Sequence, residues 1–117
     1  MVNPDATGVV LAQVAAYNAR DIERTMSFYA ADAVLVDSLG NVLDADREAI
    51  RVAFERVFEA NPELHADVPA VVQVGDWVMI HSIVPTWPMP DGSRGKAEWV
   101  ELYQVLDGKI RRVQLFH

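Results

Sequence analysis

Two acids, an amide and a tyrosine are the groups in this sequence best suited to handling a proton. Asp37 closes the apolar run Ala33-Val34-Leu35-Val36 and precedes Ser38-Leu39-Gly40-Asn41, which is turn chemistry. A carboxylate among apolar neighbours has its charged form disfavoured, which raises its pKa toward that of a useful base. The competing reading is an acid that caps the turn through Ser38-Leu39-Gly40. Glu101 lies in Trp99-Val100-Glu101-Leu102-Tyr103, where a period of two groups Trp99, Glu101 and Tyr103 on one strand face. Turned inward, that face pairs Glu101 with Asp37 and pushes their pKa values apart; turned outward, Glu101 is a solvated charge. Gln13 and Tyr17 stand at i and i+4 and can point at one ligand. A tyrosine on a buried helix face, however, is more often core.

Other chemistries find less support. His65, His81 and His117 are scattered and lack the short spacing of zinc ligands. With no cysteine, disulfides, thiolate metal sites and cysteine nucleophiles are excluded. Walker, Rossmann and nucleophile-elbow patterns are absent. The formal charge of −7 leaves no surplus of Lys and Arg to displace counterions from a nucleic acid. The N-terminus lacks the basic start and apolar core of a signal peptide, and no apolar run approaches the roughly 18 residues of a membrane span. The expectation is a cytoplasmic protein that binds neither nucleic acid nor membrane, with no metal and no cofactor.

The elements that must position these groups follow from pattern. At 117 residues, 51% hydrophobic and 23% charged, the chain suits one globular domain spanning residues 1–117. A first helix is expected from about Pro4 to Ala19, with Val10, Val14, Tyr17 and Leu11 on its buried stripe and Gln13 at the stripe's edge. Asp21 caps a second helix that closes at Ala31-Asp32, and a short strand ends at Asp37. The acidic run Asp44 to Glu48 opens a third helix carrying Ile50, Phe54, Val57 and Phe58, which Asn61-Pro62 stops. Then Val68 to Val74, Trp77 to Val84, Lys96 to Leu106 and Lys109 to Phe116 read as strands. Gly75-Asp76 and Asp107-Gly108 are hairpin turns, the latter of type I′. The segment Pro85 to Gly95 reads as too rigid for a strand interior; Trp87 and Met89 make it either a lid or simply a stiff loop. Helices followed by antiparallel strands predict an α+β fold, a cone-shaped curved antiparallel sheet with three helices on its concave face. Such a cone leaves an apolar pocket for a small hydrophobic molecule. The apolar outer face of the strands predicts a homodimer through the convex side.

The order helix, helix, strand, helix, four strands resembles the nuclear transport factor 2-like superfamily, which includes ketosteroid isomerases and SnoaL-like polyketide cyclases. The resemblance is carried by Asn18-Ala19-Arg20-Asp21, by Phe28 through Asp37, and by Arg47-Glu48-Ala49-Ile50. It implies a cofactor-independent enzyme moving a proton alpha to the carbonyl of a hydrophobic cyclic substrate. Asp37 falls at the family's general base, and Glu101 at a protonated acid that helps hold an oxyanion. Gln13 stands in place of the oxyanion tyrosine and Phe54 in place of a supporting tyrosine. Trp99 and Tyr103, grouped with Glu101 by the strand period, and Tyr17, one turn after Gln13, complete the candidate substrate-binding set with Gln13 and Phe54. The alternative is a non-catalytic small-molecule-binding or dimerisation domain, since a shared fold does not carry function with it.

Overall fold

The computed structural model describes residues 5–117. Helix α1 spans Ala6–Asn18, a stretch without a single charge. Its buried stripe is Ala6, Val10, Gln13 and Ala16. The stripe is therefore rotated from the expected one: Gln13 sits in its middle, and Leu11 is exposed. Helix α2 is Ile22–Ser27, and the Asp21 carboxylate accepts from the Arg24 N–H at its start. It ends earlier than the sequence suggests because strand β1 (Tyr29–Val36) begins at once. The Phe28 carbonyl accepts from the Ile110 N–H, so sheet pairing takes over where helical spacing would have continued.

Strand β2, Val42–Asp44, is a short exposed edge that the turn-like sequence concealed. Helix α3 is Arg47–Ala60, capped by Asp46, whose carboxylate accepts from the Ala49 N–H. Strands β3 (Asp67–Val74), β4 (Trp77–Pro88), β5 (Arg94–Leu106) and β6 (Lys109–Phe116) complete one curved six-stranded sheet. Its order is β2-β1-β6-β5-β4-β3. Every pairing is antiparallel except β1 to β6, which run parallel, so the sheet is mixed. In the β5–β6 turn Asp107 and Gly108 both have positive φ, at 53° and 73°, as a type I′ hairpin requires.

β4 continues through Pro85 to Pro88, where the prolines predict a rigid loop. Pairing with β3 stops at Ile83, so beyond it β4 has a partner on one side only. A proline is tolerated on such an edge, and the register shifts between Val84 and Trp87 to accommodate it.

On the helix-facing side of the sheet, Val78, Ile80, Ser82 and Val84 of β4 are all buried. They lie opposite Tyr103, Glu101, Trp99 and Ala97 of β5 respectively. Val10, Met26, Ile50 and Ile110 pack with Val78 and Ile80 as the main core. Each such side chain contributes about 1.5–3 kcal/mol by leaving water. Phe58, Leu64, Ala66 and Val84 form a smaller cluster beside Tyr17, Trp87 and Trp99. Between the two clusters the helices and sheet do not close, and a cavity remains.

Candidate functional site

The cavity has a volume of about 460 Å³, within the range of small-molecule sites. Its walls are mainly apolar and aromatic: Val14 and Tyr17 from α1, Ile50, Phe54 and Val57 from α3, and Val113 and Leu115 from β6. The Phe54 ring stands edge-on to Tyr17 and Tyr29, with centroids 5.7 and 5.9 Å away. Trp87 packs against Trp99 at 5.2 Å, and Met89 joins them along the wall. Lys96, Glu98 and His117 line one end and are exposed, so that end opens to solvent.

Glu101 is the polar centre. The alternation of β5 points it inward with Trp99 and Tyr103. The Trp99 indole N–H donates to Oε1 at 2.6 Å, the Ser82 hydroxyl to the same oxygen at 3.4 Å, and the Tyr103 hydroxyl to Oε2. Withdrawal from water pushes the Glu101 pKa up, and the three donors pull it back only in part. Glu98, the other acid on the lining, is engaged elsewhere, with His81 at 2.8 Å and Lys96 at 3.7 Å. Burial and the Glu101 charge raise the pKa values of Tyr17, Tyr29 and Tyr103, which keeps all three phenols protonated. Tyr103 spends its proton on Glu101. Tyr17 and Tyr29 line the cavity and have no hydroxyl partner among the described residues.

The sequence-derived set is therefore brought together with one exception. Gln13, Tyr17, Phe54, Trp99, Glu101 and Tyr103 all line the cavity; Asp37 does not. Asp37 Oδ1 accepts from the Leu39 and Asn41 N–H groups, both at 2.9 Å, and Oδ2 from the Asn41 side-chain amide. These donors lower its pKa, the opposite of what a poised base needs. The carboxylate pair thus does not form; Asp37 organises its turn. Trp87 and Met89 contribute wall rather than only loop.

Sequence reasoning missed Ser82 and Tyr29. Ser82 had a readable signal, being the one polar residue in the alternation Val78, Ile80, Ser82, Val84. Tyr29 was masked because it fits the helical spacing of Ile22 and Met26. Among the described residues no three His, Asp or Glu gather as metal ligands; His65 pairs with Asp67 and His81 with Glu98.

Three solved structures show how widely this architecture recurs. An uncharacterized cystatin-fold protein from Novosphingobium aromaticivorans superposes with a TM-score of 0.85 at 28% identity, covering 100% of this chain and 99% of its own. IdmH from Streptomyces antibioticus, proposed to be a polyketide cyclase, is similar at 0.78 and 20% identity, covering 95% and 90%. TerC, co-crystallised with polyporic acid, is similar at 0.76 and 20% identity, covering 96% and 91%. No curated protein matches in sequence. The SnoaL-like domain model, by contrast, matches residues 10–113, a span holding every cavity wall named above except His117 and Leu115. On that match and on the helix-lined curved sheet, the chain belongs to the SnoaL-like domain family of the nuclear transport factor 2-like superfamily.

Proposed function

We propose that the cavity binds a hydrophobic cyclic carbonyl compound and that Glu101 moves a proton alpha to its carbonyl. The observation that carries this reading is an inward-facing carboxylate held by Ser82, Trp99 and Tyr103 on the floor of a mainly apolar cavity. The C–H bond breaks toward Glu101, its electron pair moves into the enolate, and the proton returns at another carbon. Tyr17 and Tyr29, protonated and facing the lumen, donate to the developing oxyanion. IdmH and TerC, of the same fold, agree with a cyclic organic ligand.

The test is conversion of a β,γ-unsaturated ketosteroid to its conjugated enone, followed by ultraviolet absorbance. Wild type should turn over, Glu101→Gln should lose at least about 100-fold, and Asp37→Asn should remain within about twofold. Equal rates in wild type and Glu101→Gln would sink the mechanism.

A second reading has its own support. Both Glu101 oxygens are already occupied by donors, which suits a rigid binding floor as well as a base. Ligand binding without turnover of any cyclic ketone would favour it.

For either reading we propose a homodimer through the convex face, where Val72, Val74, Trp77 and Met79 are exposed side by side. We further propose the cytoplasm as its compartment, in keeping with a chain that has no cysteine.

A further inference from the structure

The end of β4 and the start of β5 form an arm, Pro85 to Gly95, beyond the reach of β3, whose pairing stops at Ile83. The tip of the arm is tied to itself. The Met89 N–H donates to the Ser93 carbonyl at 2.9 Å and the Gly92 N–H to the Met89 carbonyl at 3.0 Å. The Asp91 carboxylate accepts from both the N–H and the hydroxyl of Ser93. With Pro85, Pro88 and Pro90 fixing its backbone as well, the arm is built to move as one piece. Its root is looser. The β4–β5 register shifts between Val84 and Trp87, where β4 has one neighbour instead of two. Such irregular pairing is where a strand bends. A crevice of about 230 Å³, lined by Pro62, Glu63, Thr86 and Arg94, separates the arm from the loop after α3.

Two sets of contacts hold the arm in place. On the inside, Trp87 packs on Trp99 at 5.2 Å, and Met89 lies across Gly95, where a Cβ would come within 2.9 Å of its Cε. Trp87 and Met89 both line the cavity. On the outside, the Arg94 guanidinium reaches the end of α3, donating to the Asn61 side chain at 2.7 Å and to the Ala60 carbonyl at 3.0 Å. Arg94 is exposed, so water competes for both bonds and they can be broken and remade. Resting on the reading of this cavity as a ligand site, we propose that the arm is its gate, pivoting at Val84–Trp87, with Arg94 as the latch that holds it shut. Swinging out takes Trp87 and Met89 off the wall beside Lys96 and Ala97, which widens the end already open to solvent. The latch governs how fast a ligand passes, not which ligand fits.

The test is stopped-flow binding of N-phenyl-1-naphthylamine, a neutral fluorophore that brightens in apolar surroundings. A gate speeds entry and exit together, whereas a lost wall contact speeds exit alone. Arg94→Ala should raise the association and dissociation rates together, each about tenfold, and leave Kd within about twofold. Arg20→Ala removes the other guanidinium from the same helix end but belongs to the α1–α2 turn, so it should leave both rates within about twofold. Equal acceleration in the two variants would make Arg94 a helix cap and overturn the latch. Unchanged rates in Arg94→Ala, or a faster exit alone, would overturn the gate. Hydrogen exchange gives a second readout: the Met89 and Gly92 amides, bonded within the tip, should keep their protection in Arg94→Ala because the arm swings whole. Loss of that protection would mean a fraying hairpin and overturn the pivot. A probe that does not bind wild type would sink the ligand-site reading and the gate with it, whereas binding at rates indifferent to Arg94 would sink the gate alone.

Discussion

Glu101 is pulled two ways, since burial disfavours its charge while three donors favour it, and burial prevails. A buried acid with a raised pKa binds its proton more tightly in the folded than in the unfolded state. Stability therefore falls as pH rises from the unfolded value of 4.5 through the higher folded one. Glu101→Gln should accordingly raise the melting temperature at neutral pH and leave it nearly unchanged below pH 4.5, as measured by circular dichroism melts across pH. Tyr103→Phe deletes a donor to the carboxylate and should move the Glu101 titration further up, read as a displaced basic limb in the same melts. Asp37 runs the other way: its lowered pKa contributes stability above 3.8 that is lost as pH falls through the folded value. Glu101, Trp99 and Tyr103 were legible because a period of two needs only the strand to be right. Asp37 misled because an acid after an apolar run looks the same whether it faces a pocket or folds back on its own turn. Only the backbone path of Ser38 to Asn41, which turns the carboxylate onto N–H groups, distinguishes them.

At the scale of elements, α3 shows how a helix end is finished by distant residues. Its last turn has no basic residue, yet the Arg20 guanidinium donates to the Phe58 and Asn61 carbonyls. Arg94 donates to the Ala60 carbonyl at 3.0 Å and to the Asn61 side chain at 2.7 Å. Positive charge there also opposes the negative end of the helix dipole. Arg20→Ala should cost about 1 kcal/mol, roughly 4 °C in melting temperature. A melt unchanged within error would show that Arg94 suffices alone. Such long-range caps cannot be read from helix sequence, because their donors lie 38 to 41 residues before, or 33 to 34 after, the carbonyls they serve. The same limit hid β2 and the extension of β4. A three-residue edge has too few positions to show a period, and the Pro85 to Pro88 strand depends on which neighbour is missing. β6 and the adjoining hairpin were legible because Asp107-Gly108 fixes the turn locally.

For the whole molecule, the convex face joins Val72 to Met79 and Met79 to Leu102 across three strands. Val74, 73% exposed, and Val72, 53% exposed, lie on the outermost of them. Sedimentation equilibrium at micromolar concentration should give a dimer, and Met79→Lys should give a monomer that keeps its ligand affinity. A monomeric wild type would end the dimer proposal. The parallel seam between β1 and β6 has a consequence for biosynthesis. β1 is made before β2, α3 and β3 to β5, but the neighbour that fills its long side, β6, is made after them. Until then β1 has only the three-residue β2 beside it, and the cavity lacks the wall supplied by Val113 and Leu115. The long side of β1 must wait unpaired while the β3 to β5 meander forms, so assembly completes only when β6 is inserted between β1 and β5. In a growing chain, the long edge of β1 therefore stays open until β6 arrives.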